Sequence, residues 1–223
     1  MKKENVMLST LILSASALFV RFIGFLFRVY LSNAMGAQGM GLYSLVMSVY
    51  ALSITFATSG ISAAVSKLAA EELARGKAGN ARRILADSVE MSLLLSCGVA
   101  VLLFAFAQPI AIDILGDART TLSLKLLAPG LPFLSVCACL RGYFIACRRV
   151  AVPSSGQVIE QLFKMGFIMA TLSAALDKGI EAGCALVVLG ITLGEAVCLL
   201  YTLAGYLIDR RKHPDKTKSQ TRG

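Results

Sequence analysis

Long apolar stretches without a charged side chain recur along this 223-residue chain, and they constrain its fold more than any other feature. Residues 34–66 carry no charge over 33 positions, and residues 91–112 carry none over 22. About 20 apolar residues suffice for a helix to cross the hydrocarbon layer of a bilayer. With 57% hydrophobic and 16% charged residues, the composition lies outside the range of water-soluble globular proteins. The chain is therefore predicted to be an integral membrane protein.

Six such stretches divide the chain into predicted transmembrane helices. Backbone groups in lipid must be bonded within their own segment, and no alternating pattern of period two competes, so helices are favoured over strands. The connections are too short for a separate soluble domain. We predict an all-α lobe at residues 1–208 and a polar cytoplasmic tail at 209–223. The predicted spans are 6–32, 42–66, 88–112, 122–147, 152–176 and 182–208.

The basic residues are distributed unevenly among the predicted loops. With the N-terminus inside, fifteen of the 22 basic residues lie on the cytoplasmic side, and only Arg119 and Lys178 lie in outer loops. Cytoplasmic loops carry an excess of Lys and Arg, so both termini are predicted to be cytoplasmic. These loops are expected to touch anionic lipid headgroups. The net charge of +9 is thereby explained without a nucleic-acid partner.

Ionisable residues inside the predicted spans are the most informative side chains. Six of them matter most: Arg21, Arg28, Lys125, Glu160, Lys164 and Glu195, whereas Arg141 lies with Arg148 and Arg149 at the inner end of the fourth span, where an interfacial role is favoured. Each costs about 2.5–3.5 kcal/mol at the bilayer centre, so they are expected to face one another or a hydrated cavity. Arg21, Lys164 and Glu195 fall at similar depths on three different helices. This coincidence predicts a central hydrophilic chamber.

Helical periodicity places several of these side chains on shared faces. Arg21, Gly24 and Arg28 form one stripe on the first span. The fifth span carries a continuous polar face at i, i+3, i+4 and i+7, which consists of Gln157, Glu160, Gln161 and Lys164. In the fourth span, Lys125 is followed by two prolines, Pro129 and Pro132, which are expected to loosen that helix and free carbonyl groups.

Structural roles compete for some of these charges. Glu160 and Lys164 stand in the favourable i,i+4 order and can neutralise each other. Lys125 can extend to the outer headgroups, and Arg21 can pair with Glu195 across helices. Arg21 is the hardest to explain in this way, because it is permanently charged and its own helix offers no carboxylate.

The predicted chamber holds four cations against two carboxylates, and this surplus favours an anionic, phosphorylated ligand. The single histidine, His213, lies in the polar tail, and the six cysteines lie in or beside spans as packing residues. We find no phosphate-binding loop and no dinucleotide fingerprint. The chain is therefore predicted to be no enzyme, with no catalytic residue, cofactor or metal.

Three segments, residues 20–45, 115–133 and 140–164, resemble the polysaccharide transport branch of the multidrug/oligosaccharidyl-lipid/polysaccharide flippase superfamily. The order RGYF, VPS and QVIEQ in the third segment is the most specific element. The resemblance implies one six-helix lobe of a two-lobed flippase in the bacterial cytoplasmic membrane. Such a protein would move an undecaprenyl-pyrophosphate-linked saccharide, such as lipid II or a polysaccharide precursor, by alternating access.

By this resemblance, Arg21 and Arg28 match the paired arginines of the first helix around Gly24, and Glu160 and Gln161 match the fifth-helix motif. Together with the charges considered above, substrate binding is expected at Arg21, Arg28, Lys125 and Lys164, and cavity or coupling roles at Glu160, Gln161 and Glu195. Hinge roles are expected at Gly24, Gly36, Gly39 and Gly41, although a tight turn alone accounts equally well for the last three. The expected partners are the lipid-linked saccharide pyrophosphate, membrane lipids, and a second six-helix lobe or another copy of the chain.

Two other functions stay open at this point. A drug/cation antiporter of the same superfamily is one, although a net acidic chamber would then be expected. The other is a truncated, inactive or scaffolding membrane fragment that packs through small residues such as Gly190 and Gly194.

Overall fold

A computed structural model describes residues 2–58 and 60–212, and the predicted tail from His213 onward lies outside the described residues. Within the described part the chain is helical, with short turns between helices and no strand. The long helices are α1 (Lys2–Thr58), α2 (Ile61–Ala74), α3 (Ala78–Ala105), α6 (Gly130–Ala146), α7 (Ala151–Leu176) and α8 (Ile180–Lys212), and the short ones are α4 (Ala107–Pro109) and α5 (Thr121–Leu127). A π-helical turn (Ile110–Ile114) and a 3-10 turn (Ala118–Thr120) lie between α4 and α5.

Four helical stretches are long and apolar enough to cross a membrane, and a fifth results if α5 and α6 are counted together. The four stretches are Ala17–Ala74, Gly79–Ala105, Ala151–Leu176 and Ile180–Arg210. The all-helical, multi-pass architecture predicted from the sequence is confirmed at this level.

The first helix is too long to be one straight span. Its 57 residues would extend over about 85 Å, whereas the hydrocarbon layer is about 30 Å thick. The backbone leaves helical geometry at Gly36, where φ is 67° and ψ is −175°. Because L side chains rarely adopt this conformation, the absence of a Cβ at Gly36 permits the break that divides α1.

A second break separates α5 from α6, with a bend of 40° between the preceding helical stretch (Ala118–Leu127) and α6. Pro129 has no N–H group, so it cannot donate to the carbonyl of Lys125 as a continuous helix would require. The next carbonyl, that of Leu126, accepts a hydrogen bond from Thr192 Oγ1 of α8 at 2.9 Å. The proline-induced loosening predicted from the sequence is therefore present, and α8 satisfies one of the carbonyls beside it.

The ends of the helices differ from the ends of the predicted spans. The second predicted span runs to residue 66, but α1 ends at Thr58 and α2 begins at Ile61 after Gly60, which is left-handed with φ 71°. The helix that contains the third predicted span, α3, begins at Ala78, ten residues before the predicted start of that span. Hydropathy marks where lipid ends, whereas a helix continues into the polar region as long as its residues are good helix formers.

The loop predicted between the second and third spans also needs correction. The sequence of this loop predicts two short amphipathic helices that are broken by Gly76 and Gly79, with Asn80 as the N-cap of the second. The chain turns at Gly76, where φ is 76°, but Gly79 and Asn80 lie inside α3. The Asn80 side chain donates instead to Glu72 of α2, with 2.8 Å between Nδ2 and Oε2.

Close packing between α7 and α8 depends on glycines of α8. A Cβ at Gly190 would lie 2.6 Å from Ile168 Cγ1, and a Cβ at Gly183 would lie 2.6 Å from Leu176 Cδ2. Side chains at these positions would push the two helices apart. The small residues therefore allow the polar face of α7 to lie directly beside α8.

Candidate functional site

A cavity of about 530 Å³ opens between α1, α7 and α8. Six of the seven predicted binding or cavity residues line it: Arg21, Arg28, Glu160, Gln161, Lys164 and Glu195. The remaining walls are formed mainly by aromatic and aliphatic side chains of α1. The structure thus brings together charges that are more than 170 positions apart in the sequence.

The α1 wall carries the two arginines. Both side chains are exposed, and in the described part of the chain neither guanidinium forms an ion pair. Between them, a Cβ at Gly24 would lie 3.5 Å from Gln161 Nε2, so the glycine brings α1 into contact with the polar face of α7. Two uncompensated cations therefore line one side of the cavity.

The α7 wall carries the predicted i,i+4 pair. Lys164 Nζ lies 3.9 Å from Glu160 Oε1, and the two side chains are 17% and 23% exposed. This distance lies at the long end of ion-pair geometry. A Cβ at Gly194 would lie only 3.4 Å from Lys164 Cβ, so α8 packs directly against this part of α7. Pairing does not remove either residue from the cavity lining.

Glu195 of α8 forms the deepest polar part of the site and is 5% exposed. The hydroxyl group of Tyr50 on α1 donates a hydrogen bond to Glu195 Oε1. Among the described residues, Glu195 Oε2 has no hydrogen-bond partner and is buried. A Cβ at Gly130 would lie 2.5 Å from this oxygen, so the start of α6 closes the space behind it. The ion pair between Arg21 and Glu195 that the sequence left open is not formed in this structure.

Lys125 does not join the cavity. Its Nζ lies 5.8 Å from the centre of the Phe104 ring, within the range of a cation–π interaction with α3. The opposite side of α5 is buried in the core through Leu124 and Leu127. The cavity therefore holds three cations against two carboxylates, a surplus of one positive charge rather than the predicted two.

The four predicted hinge glycines differ in their surroundings. Only Gly36 has a non-helical backbone. Gly39 is buried, and a Cβ there would lie 3.5 Å from Ile180 Cγ2 of α8, whereas Gly41 has nothing within 4 Å of such a Cβ. A hinge role for these glycines stays a prediction.

Two tyrosines were missed by the sequence reasoning. Tyr43 and Tyr50 both line the cavity, together with Met47 between them. Their i, i+4, i+7 spacing places them on one face of α1, as the spacing of seven does for Arg21 and Arg28. Periodicity within the uncharged run was the signal that would have identified them.

In the described part of the chain, no three His, Cys, Asp or Glu side chains lie close enough together to hold a metal ion. The six cysteines are free. The nearest pair is Cys137 and Cys198, whose Sγ atoms lie 3.4 Å apart between α6 and α8.

Apolar membrane-length helices around an interior charged cavity define a multi-pass membrane protein. The family described as polysaccharide biosynthesis protein matches residues 6–222, and the chain belongs to this family. This match confirms the resemblance to the polysaccharide transport branch of the flippase superfamily.

Two relatives come from Bacillus subtilis (strain 168). Stage V sporulation protein B is 32% identical over 217 residues, which cover 96% of this chain and 42% of that protein. Lipid II flippase MurJ is 22% identical over 174 residues, which cover 74% of this chain and 32% of that protein. The chain thus spans less than half the length of the curated relatives it matches. No solved structure matches it.

Proposed function

We propose that this chain forms one lobe of a flippase for an undecaprenyl-pyrophosphate-linked saccharide, and that its cavity binds the pyrophosphate. The observation that carries this proposal is the pair of arginines, Arg21 and Arg28, which line an open cavity and form no ion pair among the described residues. Family membership and the name of the second relative support the substrate class.

The chemistry of the α1 wall suits a pyrophosphate. Guanidinium groups present paired N–H donors that match two phosphate oxygens, and such charge-assisted hydrogen bonds are about twice as strong as neutral ones. Lys164 contributes a third cation on the opposite wall. Within a membrane, where the effective dielectric constant is low, a net positive cavity attracts an anion far more strongly than it would in water.

The proposed lobe has six spans and cytoplasmic termini. The break at Gly36 divides α1 into two spans, and the bent stretch from Ala118 to Ala146 counts as one. The excess of basic residues in the proposed inner loops supports the orientation. A labelling experiment tests it: in a variant without native cysteines, Arg119→Cys should react with an impermeant maleimide in intact cells, whereas Arg75→Cys should react only after permeabilisation. Labelling with the opposite sidedness would reverse the topology.

Transport is proposed to need a second lobe or another copy of the chain. The length of the relatives supports this requirement, because the match covers 42% of the first relative and 32% of the second. The arginine wall also supports it, since both arginine side chains stay exposed in the single chain. A facing lobe would enclose the ligand between two surfaces.

Complementation tests the transport proposal. The chain, expressed alone or with a second lobe in a flippase-deficient bacterium, should restore growth in at least one of these arrangements. Arg21→Ala should then abolish complementation without lowering membrane abundance, while Arg119→Ala, which removes an arginine outside the cavity, should leave it intact. Normal growth with Arg21→Ala would refute the role of Arg21.

A further inference from the structure

The carboxyl group of Glu195 has two oxygens in different surroundings. Oε1 accepts a hydrogen bond from the Tyr50 hydroxyl group, whereas Oε2 is buried without a partner among the described residues. The residue lines the charged cavity and is 95% removed from solvent. A buried charged oxygen without a hydrogen bond is costly, and a proton on that oxygen removes the cost of burying the charge.

The groups around Glu195 do not supply a dedicated counterion. The titratable and charged groups that face it or share its cavity are Tyr43, Tyr50, Arg21 and Arg28 of α1, Cys137 of α6, Glu160 and Lys164 of α7, and Cys198 on its own helix. Lys164, a cation on the adjacent helix, lies within ion-pair distance of Glu160 instead. Lys125 of α5 is directed toward Phe104. The arrangement therefore suits a carboxyl group that gains and loses a proton.

We propose that Glu195 is a proton-binding site of the cavity, and that it takes up its proton when the anionic ligand binds. This inference rests on the proposed function, because it assumes that the cavity binds a pyrophosphate. In the proposed step, a hydronium ion in the cavity water gives a proton to the Glu195 carboxylate: one O–H bond of the hydronium ion breaks, an O–H bond forms at Oε2, and a water molecule and a neutral carboxylic acid result. Tyr50 donates to Oε1 in both states.

Electrostatics links the two binding events. With Glu195 ionised, the cavity has a surplus of one positive charge, and protonation raises this surplus to two. A proton therefore strengthens binding of an anion, and by thermodynamic reciprocity the anion strengthens binding of the proton.

Calorimetry with inorganic pyrophosphate tests the linkage. The full chain in lipid nanodiscs is titrated in two buffers that differ in their heat of ionisation, which counts the protons exchanged on binding. Wild type should take up about one proton more per pyrophosphate than Glu195→Gln. The matched control Glu160→Gln removes a carboxylate from the same cavity and should keep the uptake. Tight binding with equal uptake in wild type and Glu195→Gln overturns the inference and leaves the proposed function standing.

Infrared spectroscopy of the ligand-free chain provides an independent test of the proton site. Wild type should show, at the low end of the pH range, the carbonyl band of a protonated carboxylic acid, which is absent in Glu195→Gln and which has disappeared at the pH of the calorimetry, where Glu195 has to be ionised before the ligand binds. If pyrophosphate does not bind at all, the proposed function fails, and this band still decides on the proton site. A band that is missing at every pH, or unchanged in Glu195→Gln, overturns the inference.

Discussion

Two cavities of this molecule differ in size and in chemistry, and the smaller one is the better candidate for a functional site. The larger cavity, of about 770 Å³, lies between the second half of α1, α3 and the turns after it. Among the described residues that line it, Asp113 at one end is the single ionisable side chain. The cavity of about 530 Å³ between α1, α7 and α8 contains five residues of the Arg, Lys and Glu types.

The cost of placing charged groups in a membrane explains why the residues that line a cavity are more informative than its volume. An apolar groove on a membrane protein can be filled by lipid acyl chains without any desolvation of charge. Its walls, which include Leu52, Phe56 and Leu102, are exposed apolar residues of the kind that faces lipid. Ionisable residues within a membrane are costly, so a cluster of five indicates a function that requires them.

The largest expected effect concerns the arginine wall. Arg21→Gln should weaken binding of pyrophosphate about 10- to 100-fold, because a hydrogen bond to a charged group contributes about 1.5–3 kcal/mol. Calorimetry in nanodiscs measures it. Two controls sharpen the contrast between the cavities: Arg119→Gln removes a charge elsewhere, and Phe56→Ala alters the apolar groove. If either control weakened binding as much as Arg21→Gln, the two cavities would no longer differ in function.

The next effect concerns Gly130, which lies directly behind the Glu195 carboxyl group. Gly130→Ala should destabilise the protein by about 1–3 kcal/mol, because the new Cβ would lie 2.5 Å from Glu195 Oε2. Gly98→Ala is the matched control within α3, since a Cβ there meets nothing within 4 Å. The control should be neutral or stabilise by up to about 1 kcal/mol. Thermal unfolding in detergent compares them, and equal stability of both variants would contradict the close approach of α6 to Glu195.

These first two predictions show how far the sequence determines the site. The charges of α1 and α7 were predicted from periodicity, since Arg21 and Arg28 share a helix face whatever the tertiary fold is. The break near Pro129 was predicted as well, because a proline removes a donor wherever it stands in a helix. Local rules of this kind need no knowledge of which helices pack together.

Other features depended on tertiary packing. The contact between Tyr50 and Glu195 joins residues 145 positions apart, and nothing in either local sequence indicates it. The direction of the Lys125 side chain toward Phe104 depends on how α5 packs against α3, which hydropathy does not encode. The break in α1 lies at Gly36 and not at Gly39 or Gly41, and three nearby glycines in the sequence do not indicate which of them breaks the helix.

A smaller effect concerns the balance of charge in the cavity. Glu160→Gln should tighten pyrophosphate binding about two- to fivefold, because it removes a negative charge and frees Lys164 from a partly exposed pair. Protein stability should stay nearly unchanged. The dissociation constant measured beside wild type tests the prediction, and weaker binding would indicate that Glu160 itself contacts the ligand.

The smallest effect is expected at Lys125. Because its ammonium group lies over Phe104 and outside the charged cavity, Lys125→Gln should change pyrophosphate binding less than about twofold. Lys164→Gln provides the comparison, since it removes a lysine that lines the cavity. Equal losses of affinity in the two variants would place Lys125 at the binding site after all.

The central claim is that the cavity selects anions, and competition between ions of opposite sign tests it most directly. Inorganic pyrophosphate and tetraphenylphosphonium, a lipophilic cation, are each titrated into the wild-type chain in nanodiscs. If the cavity selects anions, pyrophosphate binding should be saturable and should be lost in Arg21→Gln. Binding of the cation should not depend on Glu160 or Glu195. Saturable cation binding that requires these carboxylates, without pyrophosphate binding, would contradict it and favour a cation antiporter.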